Sequence, residues 1–214
     1  MLYKKAIDVL IALQKTTPPS SLNYYSDEIL IEEAQRLTKY YLPVLNGEEI
    51  SKKLCQEYVQ IWHDLLPLTH KLGDSFVLRD YHSENIMYLE NNSSTQKIGI
   101  LDFQDALIGS PVYDIVSLLE DARIDVAQNI VDQMINYYLS NHPNINRKDF
   151  LAAYAILGVQ RNSKILGIFA NKAFQDKDTR YLQYIPRIKK YIYNALKHPL
   201  LSPLQSWFDR VMPR

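Results

Sequence analysis

Three polar residues near the middle of the sequence have the types and the spacing needed to hold a metal ion beside a base. In RDYHSENIMYLE, Asn85 comes five residues after Asp80, and in KIGILDFQD, Asp102 directly follows a β-branched run. If the residues between them form a hairpin, Asn85 and Asp102 lie at neighbouring strand ends, where hard oxygen ligands suit Mg²⁺. Asp80, one loop away, is placed to accept a proton from an attacking hydroxyl.

Each of these residues taken alone has a simpler explanation, because Asp and Asn favour turns and helix caps. Asp-x4-Asn followed across a hairpin by a strand-terminal Asp-Phe is, however, the layout that protein kinases use for phosphoryl transfer. Asp80, Asn85 and Asp102 together therefore predict an ATP-dependent phosphotransferase that uses Mg²⁺, with Asp80 as base and Asn85 and Asp102 as metal ligands.

Two neighbours of Asp80 are further candidates. His82 could orient the loop through hydrogen bonds or act in catalysis, and we place it with Asp80 in the catalytic set. Arg79 either forms the Arg-Asp pair of a kinase catalytic loop or is a salt-bridge partner on a loop.

The elements that must position these residues are mainly helical. Helices are predicted up to about residue 14, from a cap at Ser26 to a break at Pro43, and over about 48–66. After Pro111 they resume near 112–122, 126–140, 147–172 and 178–197, with a short final one after Pro203. Between them, FVL, IMYL and KIGIL predict a short strand, a polar loop and a hairpin that turns at 91–94. The predicted fold is α+β and mainly α, a single domain over 1–214 with a small β insert at about 76–103.

Composition excludes several classes of function. The net charge is zero and the pI is near neutrality, so there is no electrostatic footprint for nucleic acid. Cys55 is the only cysteine, so the chain has no internal disulfide and a reducing compartment is expected. No apolar run approaches the roughly 20 residues that span a bilayer. We therefore expect a cytoplasmic protein without a membrane segment.

The sequence resembles the aminoglycoside phosphotransferase and choline kinase superfamily. It is more narrowly similar to bacterial cell-wall kinases that phosphorylate N-acetylmuramate and N-acetylglucosamine at the anomeric hydroxyl. The resemblance rests on LRDYHSENIMYLE, IGILDFQDALIGSPVYDIVSLLEDAR, YAILGVQRNSKILGIFA, YLQYIPRIKKYI and HPLLSPLQSWFDR, and so extends over nearly the whole chain. It implies the C-terminal lobe of a protein-kinase-like fold, and LDFQDA in place of Asp-Phe-Gly favours the small-molecule branch.

The resemblance also implies roles for residues other than Asp80, Asn85 and Asp102. Gln104 and Asp105 would lie beside the metal or face the substrate. Asp114, in a Tyr-Asp pair, would brace the catalytic loop from the following helix. Gln160 and Arg161 lie in a mostly apolar helical pattern, where a buried polar pair needs partners. They either reach the active-site carboxylates or the sugar, or form an interhelical salt bridge.

The resembling family also has an N-terminal β-rich lobe that grips ATP through a phosphate-covering loop and a strand-borne Lys paired with a helix Glu. The six glycines are scattered singly, and no Lys precedes the motif in a strand-like run. We therefore expect that this lobe is absent and that the chain is inactive alone. We also expect an apolar docking surface, on the first helix or at the strand ends near Phe76.

The alternative is a non-catalytic interaction module, or the remnant of a split gene. In some alphaproteobacteria, resembling proteins are fused to or found alongside the ATPase subunit of the tRNA threonylcarbamoyl-adenosine system. The candidate partners are therefore a separate N-terminal lobe or that ATPase. An amino-sugar substrate is implied by the resemblance, and choline, aminoglycosides and other small alcohols stay open.

Overall fold

The computed structural model describes residues 2–89 and 97–212, which fold into helices with two small sheets, as the sequence predicts. The helices are α1 Leu2–Leu13, α2 Asp27–Ala34, α3 Leu42–Asn46, α4 Lys52–Leu65, α5 Tyr113–Leu119, α6 Gln128–Ser140, α7 Arg147–Phe174, α8 Ile185–Ala195 and α9 Ser202–Val211. Shorter 3₁₀ segments cover Leu66–Leu72, Ser83–Asn85, Thr179–Tyr184 and Pro199–Leu201. Among the helices of the described residues, none is long and apolar enough to cross a membrane.

The chain divides into two compact units. The first comprises residues 1–25 and 70–154, and the second comprises 26–69 and 155–214. In the first unit, α1 packs against α5 and α6. The apolar face of α1 is buried there, with Ile7 fully covered and Leu10 2% exposed. The prediction that this face forms an exposed docking surface is therefore wrong, because the chain's own helices cover it.

Both sheets belong to the first unit. Strand β2, Ile86–Tyr88, pairs antiparallel with β3, Ile98–Ile100, so that Met87 lies opposite Gly99. This confirms the predicted hairpin, whose proposed turn at 91–94 lies outside the described residues.

The other sheet contains a strand that the sequence analysis missed. Strand β1, Ser75–Val77, pairs antiparallel with β4, Leu107–Gly109. Strand β4 lies beyond the predicted β insert at 76–103, so that boundary was placed too early. A Cβ at Gly109 would lie 3.2 Å from Tyr25 Cβ and 3.4 Å from a Val77 methyl, so a small residue suits this tightly packed position.

The second unit is helical. The Ser26 hydroxyl caps α2 by accepting from the Ile29 N–H, as expected. The predicted break at Pro43 is wrong, because a π-helical turn at Leu37–Tyr41 leads directly into α3 and Pro43 occupies its first turn, where a missing N–H costs nothing. The core of this unit includes Tyr58, which stacks on Trp207 with ring centroids 4.3 Å apart.

Candidate functional site

The hairpin brings Asn85 and Asp102 to the same end of two neighbouring strands. The Leu101 N–H donates to the Asn85 carbonyl at 2.8 Å, and Ile86 lies opposite Ile100. Asp102 is the next residue after Leu101. The structure therefore places the amide and the carboxylate on adjacent strand ends, as the sequence predicts for the two metal-ligand candidates.

Asp102 has an unusual backbone. Its φ is +57°, in the left-handed region that residues with a Cβ adopt at some cost. Its side chain is exposed, and Oδ1 accepts from Gln104 Nε2 at 2.8 Å. The same Gln104 nitrogen lies 3.5 Å from Asp105 Oδ2, so Gln104 and Asp105 both stand beside Asp102 at the surface. Left-handed residues often mark functional sites, where the surrounding structure offsets their strain.

Asn85 is tied directly to the loop that carries Asp80. The Asn85 side-chain Nδ2 donates to the Asp80 carbonyl at 3.0 Å, and its backbone N–H donates to the His82 carbonyl at 2.9 Å. Because Nδ2 faces the Asp80 carbonyl, the amide oxygen Oδ1 points away from that bond. The Asp80 side chain itself is exposed to solvent.

The first half of the Asp80 loop is held by Asp114, from the first turn of α5. Asp114 is 3% exposed, and its carboxylate accepts the Leu78 N–H at 2.7 Å and the Arg79 N–H at 3.0 Å. Arg79 has a φ of +68°, so these two charge-assisted bonds hold a strained residue immediately before Asp80. The Ser117 hydroxyl, one turn further along α5, donates to the Arg79 carbonyl at 3.4 Å.

The side chains of Arg79 and His82 lie against different neighbours. The Arg79 guanidinium lies over the Tyr25 ring, 5.4 Å from its centroid, which is a cation–π arrangement. His82 is buried, 7% exposed. Burial raises the pKa of the nearby Asp121, hydrogen bonds from Ser83 and Arg123 lower it more, and His82 adds a smaller lowering contribution.

Two anchors of the loop were missed by the sequence analysis. The buried Tyr81 hydroxyl donates to the Ala6 carbonyl at 2.9 Å, and burial raises the pKa of Tyr81 well above its usual value. Asp121, just beyond α5, accepts from the Ser83 N–H at 3.0 Å and also from the Ser83 hydroxyl. Asp121 follows Asp114 by seven residues, but it lies beyond the last residue of α5, so helical spacing gave no signal for its contact with the loop.

Gln160 and Arg161 belong to the second unit. The fully buried Gln160 donates from Nε2 to the Leu30 carbonyl at 2.9 Å, and Arg161 is 3% exposed. The sequence-based idea that they reach the active-site carboxylates or the sugar stays a prediction.

The donor set at the hairpin end fits Mg²⁺. In residues 2–89 and 97–212, no three His, Cys, Asp or Glu side chains cluster closely enough to hold a metal ion. Mg²⁺ does not require such a cluster, because it takes one or two protein carboxylates and completes its octahedron with waters and phosphate oxygens. One amide oxygen from Asn85 and one carboxylate from Asp102, both at an accessible strand end, meet that requirement.

Comparison with known proteins shows that the fold is that of kinase-like phosphotransferases. Residues 1–151 match the phosphotransferase enzyme family, and the chain belongs to that family. Among solved structures it is similar to a choline/ethanolamine kinase family protein from Mesorhizobium loti, with a TM-score of 0.56 and 13% identity over 96% of this chain and 65% of that one. Choline kinase from Cryptosporidium parvum gives a TM-score of 0.54 and 14% identity over 97% of this chain and 70% of that one.

Two proteins that are similar in sequence carry a more specific name than the phosphotransferase family as a whole. The chain is 32% identical to N-acetylmuramate/N-acetylglucosamine kinase from Caulobacter vibrioides, over 99% of this chain and 61% of that protein. It is 33% identical to the protein of the same name from Pseudomonas aeruginosa, over 95% of this chain and 61% of that protein. The chain thus spans about three fifths of the length of these relatives.

Proposed function

We propose that the chain is the catalytic C-terminal lobe of an ATP- and Mg²⁺-dependent kinase that phosphorylates an amino-sugar hydroxyl. The observation that carries the proposal is the geometry at the end of the β2–β3 hairpin, where Asn85 Nδ2 donates to the Asp80 carbonyl and Asp102 follows Leu101, whose N–H donates to the Asn85 carbonyl. The amino sugar is proposed because the relatives with about one third identity over nearly the whole chain are N-acetylmuramate/N-acetylglucosamine kinases.

In this proposal, Asp80 orients the acceptor hydroxyl and takes its proton as the hydroxyl oxygen bonds to the γ-phosphorus of ATP and the bond from that phosphorus to ADP breaks. Asn85 and Asp102 would hold Mg²⁺, and Gln104 orients the Asp102 carboxylate by donating to its Oδ1. When bound, the metal neutralises charge on the ATP phosphates. Since phosphoryl transfer depends mainly on positioning and electrostatics, the rigid anchoring of the Asp80 loop is itself part of the catalytic apparatus.

The remaining candidates take supporting roles. We assign His82 an orienting role, because it is 7% exposed whereas the Asp80 side chain is exposed to solvent. Arg79 and Asp114 together hold the backbone that enters Asp80. Asp105 faces solvent beside Asp102, where a substrate could contact it.

Exposed apolar side chains around the hairpin support the proposal that a further lobe of the enzyme contacts this surface. Met87 is 45% exposed, Tyr88 43%, Leu101 45% and Phe103 60%. Exposed apolar side chains of this kind are candidates for contact with another protein segment. The relatives are longer than the match, and we propose that the ATP-gripping lobe occupies this surface as part of the same enzyme or as a separate polypeptide. Without that lobe, the chain should transfer phosphate slowly or not at all.

The same exposed apolar surface would also serve an interaction module without catalysis. A tRNA-modification ATPase subunit is the candidate partner in that case. This function would place no demand on the Asp80, Asn85 and Asp102 side chains.

A kinase assay on two preparations tests the proposal. The first is the purified chain alone, and the second is the chain joined to the remaining portion of the Caulobacter relative. Each receives ATP, Mg²⁺ and N-acetylmuramate or N-acetylglucosamine. We expect phosphorylated sugar from the joined protein and little from the chain alone. A joined, folded protein that phosphorylates neither sugar would reject an amino-sugar kinase.

A further inference from the structure

The segment that follows α5 contacts the far end of the Asp80 loop. Asp121 is 1% exposed, and its Oδ2 accepts from both the N–H and the hydroxyl of Ser83. Its other oxygen, Oδ1, accepts from the Arg123 N–H at 2.8 Å. A buried carboxylate with this many donors is a strong, directional anchor.

A second link joins the same two segments. Arg123 Nε lies 2.6 Å from Glu84 Oε2, but the Glu84 side chain is 60% exposed. Exposed ion pairs contribute little to stability, because water screens them. The buried Asp121 carboxylate is therefore a stronger attachment between the segments than the Arg123–Glu84 ion pair.

The attachment acts on the turn that ends in Asn85. Ser83 is the first residue of the 3₁₀ turn Ser83–Asn85, and within one residue of it the His82 carbonyl accepts the Asn85 N–H. Asn85 Nδ2 then reaches back to the Asp80 carbonyl at 3.0 Å. A shift of Ser83 would be passed to Asn85 through this short hydrogen-bonded turn.

We infer that Asp121 is a positioning residue for the Asn85 metal ligand. Asp114 holds the segment before Asp80, and Asp121 holds the segment after it. Asp114 therefore holds the backbone that leads to the proposed base, and Asp121 holds the turn that carries the proposed ligand. The role of Asp121 in Mg²⁺ binding rests on the proposed function. Its attachment to the Ser83–Asn85 turn rests only on the contacts described above.

Amide hydrogen exchange, measured on the chain by itself, tests whether Asp121 holds the Ser83–Asn85 turn in place. In Asp121→Asn we expect exchange in peptides that cover 79–86 to rise about tenfold or more, as loss of a hydrogen bond to a charged group implies. Peptides from 155–212 should not change. Asp125→Asn is the matched control, since Asp125 is exposed four residues away. If Asp121→Asn fails to fold, Ser83→Ala removes only the hydroxyl bond and should raise exchange in the same peptides. Unchanged exchange at 79–86 in the folded variant would overturn the inference.

The Mg²⁺ dependence of the joined kinase tests the catalytic meaning. In Asp121→Asn we expect the half-saturating Mg²⁺ concentration to rise several-fold while the KM for the sugar stays the same. A merely structural role would lower kcat in proportion to the loss of folded enzyme, at unchanged Mg²⁺ dependence, and that result would overturn the inference. If the unmodified joined protein transfers no phosphate, the proposed function fails, and the exchange experiment alone decides whether Asp121 positions the turn.

Discussion

Replacement of Asp102 by glycine should remove activity while leaving the fold as stable as before. The reason is the backbone, because Asp102 has a φ of +57°, which costs a residue with a Cβ about 1–2 kcal/mol and costs glycine nothing. Against this gain, glycine loses about 0.5–1 kcal/mol more chain entropy on folding. The exposed bond from Gln104 at 2.8 Å contributes about 0.5–1 kcal/mol. These contributions nearly cancel, so the free energy of unfolding should change by less than about 1 kcal/mol.

Asp102→Ala separates the contributions. Alanine loses the Gln104 bond and keeps the left-handed strain, so it should be less stable than Asp102→Gly by about 1 kcal/mol. For a chain of this size that difference corresponds to about 2–4 °C in Tm. Both variants should be inactive in the joined kinase, because each lacks the proposed metal ligand.

Thermal unfolding by circular dichroism and the sugar kinase assay provide the two measurements. Lys177→Gly is the matched control, since Lys177 is exposed, has a φ of +59° and lies outside the proposed site. It should be as stable as the unmodified chain or more so, and fully active in the joined kinase. The reasoning is refuted if Asp102→Gly loses more than about 2 kcal/mol, which would make the carboxylate structural, or if it retains activity.

Three further predictions concern stability. Gly167→Ala should destabilise the second unit by about 1–3 kcal/mol in urea unfolding, because its Cβ would lie 2.4 Å from the Arg36 carbonyl; an unchanged midpoint would contradict that close packing. Lys164→Met should cost about 3–5 kcal/mol of stability, because it breaks the buried 3.0 Å ion pair with Glu33. Adding Glu33→Gln to that variant should recover part of the loss. Equal stability of the single and double variants would show that the buried Glu33 charge is not the cause. Burial alone would raise the pKa of Asp121, but hydrogen bonds from Ser83 and Arg123 outweigh it and hold that pKa below its usual range. Its stabilising contribution is therefore present above about pH 4, the usual Asp value, and is lost as the pH falls through the lower folded pKa. The free energies of unfolding of the unmodified chain and of Asp121→Asn, measured as the pH is lowered, should converge below the folded pKa of Asp121. A difference that stays constant down to pH 2 would contradict this prediction.

The hairpin and its polar ends could be predicted from the sequence because both signals are local. IMYL and KIGIL are short β-forming runs, and Asn85 and Asp102 stand at their ends. Once the hairpin is assumed, its pairing fixes which strand ends are neighbours, and no long-range contact is needed.

Strand β4 and Asp121 depend on contacts between distant parts of the chain. Leu107–Gly109 is a three-residue run whose strand pairing comes from distant residues, since Ile108 lies opposite Phe76 and exchanges backbone hydrogen bonds with Asn23 and Tyr25. Asp121 stands 38 residues from Ser83, and nothing in its local sequence shows that the end of α5 faces the Asp80 loop. The continuation of helix past Pro43 was missed for a different reason, because the π-helical turn before it lets proline fall in a first turn.

The most direct test of the account is the turnover of the joined kinase with Asp80→Asn beside Asp74→Asn. Both residues are exposed Asp side chains near β1, and each substitution removes one negative charge. We expect Asp74→Asn to phosphorylate the amino sugar at the unmodified rate and Asp80→Asn to be at least a hundredfold slower, the contribution typical of a general base. Equal turnover by the two variants would contradict the claim that this loop carries the catalytic base.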